Sequence, residues 1–297
     1  MLSWQTLNTI YQDETQDTAT ANVTRGGRYI NMVHRNILSY WNWPFMETSG
    51  TCSTVASQQA YTFPYNIKRV KSVSVTVSDI VYSLKEISDW DYWTKLNQYG
   101  SDYTSNIAEF YFVNDETEIQ IFPIPSTAGK TVTIVYEKSV RDLSVDDYTT
   151  GTASITITTS KYAITGGSTT WTAAMVGRYF KFDTDDWWYE ITSRTSNTVI
   201  TLKRAFGGAS VSGDTYVIGE MPSLPEDFHD LIWLGAVGRY WTLKREDNHA
   251  AFYLRQFKDG MEKMKQRYGY KSTGQYISSY RLIGVTDPNN PPPVATQ

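Results

Sequence analysis

The stretch Leu224-Pro225-Glu226-Asp227-Phe228-His229-Asp230-Leu231-Ile232-Trp233-Leu234-Gly235-Ala236-Val237-Gly238-Arg239-Tyr240-Trp241 starts like an ordinary helix and then departs from helix composition. Proline suits a first helical turn, where its missing N–H is not needed. Glu226, Asp227 and Asp230 place negative charge at the positive end of the helix dipole. The apolar run that follows is broken by Gly235, Ala236 and Gly238. A glycine inside a helix costs about 1 kcal/mol relative to alanine, so its use there points to a second helix that approaches closely. The stretch therefore predicts a helix over 224–243 whose packing seam is Phe228, Leu231, Gly235, Ala236 and Gly238.

Outward from it, apolar residues recur at helical spacing over 248–268 (Ala251, Leu254, Phe257, Met261, Met264, Tyr268), with Gly269 as the stop. Tyr29, Ile30, Val33, Ile37, Leu38, Tyr40 and Trp41 predict a helix over 24–42, ended by Pro44, with Gly26 and Gly27 weakening its start. Leu2, Leu7, Ile10 and Tyr11 predict a short helix over 2–12, and polar residues 13–22 a loop. Between these helices the period changes. Lys71-Ser72-Val73-Ser74-Val75-Thr76-Val77 alternates strictly, as does Val132-Thr133-Ile134-Val135-Tyr136, so 50–140 is an antiparallel β region. One short helix lies within it near Trp90–Leu96, with Ser88 as a cap. Residues 151–219 are rich in Thr, Ser and Gly, with strands expected at 154–159, 178–182, 187–193, 198–202 and 215–218. The expected fold class is α+β. A core of three to four helices carries an antiparallel β domain and an inserted small β-barrel or sandwich. Residues 1–150 and 220–270 form the core, 151–219 the insert, and 271–297 an extended C-terminal tail.

Chemistry is harder to find than architecture. His34, His229 and His249 fall on separate helices without a metal-ligand spacing. Asp146-Asp147 and Asp183, Asp185 and Asp186 sit in turns, where aspartate serves local hydrogen bonding, and no EF-hand spacing surrounds them. Arg25-Gly26-Gly27-Arg28 and Phe206-Gly207-Gly208 match no phosphate loop. No enzyme activity, cofactor or metal is expected. Trp187-Trp188-Tyr189 alternates faces in a strand, so at least one aromatic enters the core rather than a sugar platform. Arg255, Lys258, Lys263, Lys265, Arg267 and Lys271 make a basic stripe, read as a solvated face or a contact to phosphates or an acidic neighbour. A formal charge of −4 is wrong for a general nucleic-acid binder. With 22 Tyr and 10 Trp, half-buried interface positions are well supplied. The single cysteine, Cys52, permits no disulfide within the chain, which fits assembly in a reducing cytosol. No secretory leader is visible at residues 1–10, and no run approaches the roughly 20 apolar residues of a membrane span.

Read in order, several segments form a pattern. They are Tyr40-Trp41-Asn42-Trp43-Pro44-Phe45, Gln59-Ala60-Tyr61-Thr62-Phe63-Pro64, Lys68-Arg69-Val70-Lys71-Ser72-Val73 and Glu118-Ile119-Gln120-Ile121-Phe122-Pro123-Ile124-Pro125. Tyr136-Glu137-Lys138 and the helix opening at Leu224-Pro225 follow. This succession resembles the tailed-phage head–tail adaptor (connector, head-completion) family, with Phe63-Pro64 standing where that family has Leu-Pro. The resemblance covers most of the chain outside 151–219. It implies a structural virion protein at the head–tail junction: a homo-oligomeric ring of twelve beneath the portal protein, docking tail nozzle or tail tube proteins, through which genomic DNA passes without sequence-specific binding. Within the tail, Tyr280, Arg281, Leu282, Ile283 and Val285 have strand character and suit addition to a sheet edge of a partner such as the portal. Folding back onto the chain's own β domain is the alternative for this strand. For the whole chain, the alternative is a carbohydrate-binding or fibre-anchoring tail module.

Overall fold

The computed structural model describes residues 1–63, 67–98, 103–114 and 118–269. The fold is α+β. Four helices form one layer: α1 (Trp4–Thr15), α2 (Thr20–Tyr40), α4 (Asp230–Lys244) and α5 (Asp247–Tyr268). Helix α4 lies at its centre and touches the other three. Hence its apolar residues run all round: Leu231, Ile232, Leu234, Ala236, Val237 and Tyr240 are all buried.

The turn between α1 and α2 is shorter than the predicted polar loop. Helix α1 runs on to Thr15 and α2 begins at Thr20. The polar residues there satisfy one another internally. The Asn22 amide donates to Asp17 O at 2.7 Å and to Thr15 Oγ1 at 3.3 Å, while Tyr11 Oη donates to Asn22 Oδ1 at 3.2 Å. The start at Pro225 also needs correction. Residues 226–228 make a 3₁₀ turn, and the α-helix begins at Asp230. Gly269 closes α5 in an extended, not left-handed, conformation.

Residues 47–138 build two small sheets on one core. The first holds β1 (Glu47–Ser53), β10 (Thr131–Lys138), β3 (Ile67–Val77) and β4 (Ile80–Ser83) in that order, all antiparallel. The second holds β2 (Ala60–Thr62), β8 (Glu118–Phe122), β7 (Phe110–Asn114) and β5 (Lys85–Glu86). Val73, Val75, Val132 and Ile134 from one sheet meet Tyr61, Tyr111, Ile119 and Ile121 from the other. The short helix α3 (Trp90–Asn97) stacks Trp93 on Phe112 with ring centroids 5.4 Å apart. Its cap is Asp89, not Ser88: the Asp89 carboxylate accepts from the N–H groups of Asp91 and Tyr92. Two short strands, β6 (Thr104–Ser105) and β9 (Ile124–Pro125), pair in parallel beside it.

Residues 152–219 form a seven-stranded antiparallel sheet, curled into half a barrel. Its order is β16 (Val211–Asp214), β11 (Thr152–Ile155), β12 (Ala163–Gly167), β15 (Val199–Leu202), β14 (Tyr189–Ser196), β13 (Tyr179–Phe182) and β17 (Tyr216–Gly219). It has a core of its own, in which Phe180 stacks on Tyr216 at 5.3 Å and Trp171 meets Tyr216 edge-on at 5.7 Å. Strands β12 and β16 were not predicted, because Thr, Ser and Gly give them no alternating apolar signal. Gly166 in β12 is needed for packing: a Cβ there would sit 2.9 Å from Trp171 Cη2.

Candidate functional site: interaction surfaces

The helix layer is drawn together by glycines. A Cβ on Gly235 would lie 2.8 Å from Val33 Cγ1 of α2 and 3.1 Å from Phe257 Cδ2 of α5. On Gly238 it would lie 2.8 Å from Leu254 Cδ2. Gly260 of α5 reciprocates under Leu231, and Gly26 of α2 under the Tyr11 ring. Gly26 and Gly27 therefore do more than weaken the start of α2. They let α1 lie against it, with Gly27 facing Trp4. Ala236 is fully buried, and Phe228 is half-buried with its ring edge-on to Tyr268 at 5.9 Å.

Two buried histidines lock the N-terminal residues and the 220–229 segment to this layer. His229 Nδ1 accepts the Leu2 N–H at 3.0 Å, which leaves Nε2 to donate to Leu224 O at 3.0 Å. His34 Nε2 accepts the Ser223 N–H at 3.2 Å, while its Nδ1 has no partner among the described residues. Burial, with the neighbouring His229 and Arg35 adding to it, pushes the His34 imidazole down from 6.5 to about 4. Burial likewise lowers His229. Both rings are therefore neutral hydrogen-bonding struts. His249 stacks on Trp241 at 5.0 Å, away from them. Among the described residues no group of three His, Cys, Asp or Glu side chains could hold a metal.

A cleft of about 830 Å³ lies between the 138–148 and 220–223 segments and residues 172–178, with Lys138, Arg141, Asp146, Asp147, Arg178 and Glu220 among its walls. Arg178 ties the segment after β10 to β17, donating from Nη2 to Asp146 O at 2.8 Å and Ile218 O at 2.9 Å. The Asp147 carboxylate accepts from Ser3 Oγ at 2.8 Å, and burial raises its pKa. Asp185 serves its own turn, accepting from the Trp187 N–H and Tyr189 Oη.

What the surface offers instead is apolar. Tyr40 and Phe252 are each 61% exposed, and Trp41, Leu243 and Leu254 add to them. Ile37, Tyr40, Phe257 and Met261 line a groove of about 190 Å³ between α2 and α5. Phe252 gave no sequence signal because it lies out of phase with the buried stripe, which uses Ala250, Met261 and Met264 and leaves Ala251 exposed. Part of the basic stripe is engaged locally. The Lys265 ammonium sits 4.3 Å from the Trp41 ring centre, and Arg267 pairs with Asp227. Of the aromatic trio, Tyr189 enters the core, Trp188 lies under Lys181, and Trp187 is 68% exposed. Tyr280, Arg281, Leu282, Ile283 and Val285 lie outside the described residues.

No helix among the described residues is long and apolar enough to cross a membrane. No curated protein matches the chain. One protein family, described as SU10 adaptor protein, matches residues 4–157, from the start of α1 to just past the end of β11. That span holds the ordered segments from Tyr40 to Lys138 that first suggested an adaptor, but not the glycine-bearing helix at 230–244. The match takes in more than half of the sequence, and the protein belongs to the SU10 adaptor family of bacteriophage structural proteins.

Proposed function

We propose that this adaptor acts as a head-to-tail connector, forming a ring beneath the portal that lengthens the DNA channel and offers the tail a docking surface. The observation that carries the reading is a close-packed, glycine-sealed helix layer with exposed Tyr40, Trp41, Leu243, Phe252 and Leu254. Such side chains suit contacts between copies or with other virion proteins. In this reading the helix layer forms the ring wall, at the head–tail junction of the virion. Residues 151–219 are an insert placed outward or tailward. Two observations support the insert: its separate core, and the bridge between Tyr148 and Ile218 that closes the points of entry and exit. Residues 280–286, expected from their sequence to pair with a partner's sheet edge, are the portal-facing element in this reading.

The mass of the protein, free in solution and then on purified heads, tests the ring. A discrete assembly of about a dozen copies on heads is the expected result; a single copy per head removes the reading. Removing residues 270–297 tests the tail. Retention on heads should fall at least tenfold, with the melting curve of the rest unchanged. Full retention would leave the ring in place and end the role of the tail.

A further inference from the structure

The four-stranded sheet β1–β10–β3–β4 has two outer edges, and neither carries proline, a bulge, or a charge over Thr48–Ser53 or Ile80–Ser83. Natural sheets blunt their edges with charges, proline, bulges or brevity, because unpaired backbone groups recruit other strands. Other edges of this protein follow that rule. Strand β5 is two residues long and both are charged, β2 is three residues long, and the stretch of β3 beyond β4 carries exposed Lys68 and Arg69. Strand β1 is seven residues long, pairs with β10 without a bulge, and has no charge or proline from Thr48 to Ser53. Strand β4 reads Ile80-Val81-Tyr82-Ser83, with Ile80 56% and Val81 65% exposed. A two-residue turn with both Ser78 and Asp79 at positive φ fixes it against β3. Among the described residues neither β1 nor β4 has a second strand partner.

Strand direction selects the occupant. Every neighbour in this sheet is antiparallel and the strand count is even, so β1 and β4 run in opposite directions. Two copies set side by side in the same orientation bring β4 of one against β1 of the next as an antiparallel pair. This contact is head-to-tail, and repeated by rotation it closes a ring. Pairing of β1 with itself would need a two-fold axis and would stop at a dimer. The faces agree as well. Cys52, Val132, Val75 and Tyr82 form one row across the sheet, on the face that meets the core. Ile80, opposite Val77, shares that face and overhangs the edge. A neighbour's β1 offers Gly50, with the Tyr136 ring beside it, and the half-buried Cys52 on the same face, an apolar surface for Ile80 to meet.

We infer that β4 of one copy pairs with β1 of the next, so that the ring contains a continuous intersubunit β-sheet. The inference rests on the ring reading above and names its interface. Cys52, the chain's single cysteine, makes it testable. Variants Ile80→Cys and Tyr82→Cys put a thiol on the face of Cys52, in two registers, and Val81→Cys puts one on the opposite face. Virions carrying each variant are treated with a mild oxidant and run on a non-reducing gel, after the mass of the assembly has been measured. The expected result is a ladder extending beyond the dimer for Ile80→Cys or Tyr82→Cys. It should vanish when Cys52 is also replaced by serine, and be absent for Val81→Cys. A ring of normal mass that gives only monomer, or stops at dimer, overturns the interface and leaves the ring standing. Absence of any multimeric assembly overturns both. Independently, Val81→Lys should lower ring yield at least tenfold without changing the melting curve of the lone subunit; normal yield would count against the shared sheet.

Discussion

Gly235→Leu is expected to cost the helix layer about 3 kcal/mol, the upper part of the range for overpacking a close-packed core. The site leaves no path for relief. Val33 and Phe257 approach Gly235 from two different helices, and α4 is walled in by α1, α2 and α5. Gly235→Ala separates two opposing effects. Alanine gains about 1 kcal/mol of helix propensity, but its methyl would fall 2.8 Å from Val33 Cγ1, closer than van der Waals contact allows. A net loss of about 1 kcal/mol is the expected outcome if overpacking wins. At roughly 2–4 °C per kcal/mol for a chain of this size, Gly235→Leu should melt about 6–12 °C early. Circular dichroism at the helix band is the right probe, since the β modules have separate cores and can melt separately. An unchanged helix transition in Gly235→Leu would show that α4 is not packed along this seam.

The same glycines explain why the helix layer was legible in sequence. A glycine inside an apolar helical run is a local mark of a tertiary fact, the close approach of a second helix. Alternating valines are such a mark for β3 and β10. Legibility failed where the deciding interaction was polar or distant. Asn22 and Thr15 read as loop residues because their hydrogen-bond partners, Tyr11 and Asp17, sit across a turn that only the packed helices define. Strands β12 and β16 are held by neighbours in the curled sheet, not by their own apolar pattern. The exposed edges of β1 and β4 could not be read at all. Their status follows from β1 pairing with β10 rather than with β2, a choice that no window of neighbouring residues records. The candidate surface shares this property: Phe252 is noticeable only once the buried face of α5 is known.

Mild acid should loosen the helix layer, beginning near pH 6.5, and His34 is the cause. Its ring is fully buried between the layer and the 220–229 segment, accepts the Ser223 N–H, and titrates at about 4 instead of 6.5. Burial is the main cause, and the neighbouring His229 and Arg35 act in the same direction. Above pH 6.5 both folded and unfolded chains hold a neutral ring, and His34 adds no pH dependence. Between 6.5 and about 4 the unfolded chain binds a proton that the folded chain refuses, so stability falls as pH falls. Below about 4 both states are protonated and the loss is complete. One pKa unit corresponds to about 1.4 kcal/mol, so the full loss is about 3 kcal/mol, and the lowered pKa of His229 adds to it. Denaturant unfolding at pH 7.5, 6.0 and 5.0 reads this window above the range of ordinary carboxylates. His34→Gln keeps an acceptor near Ser223 without the titration, and should flatten most of the slope while leaving the His229 part. A wild-type stability that is level from pH 7.5 to 5.0 would mean that the ring is hydrated or mobile in solution, and that the N-terminal residues and the 220–229 segment are held to the bundle by something other than a neutral histidine strut.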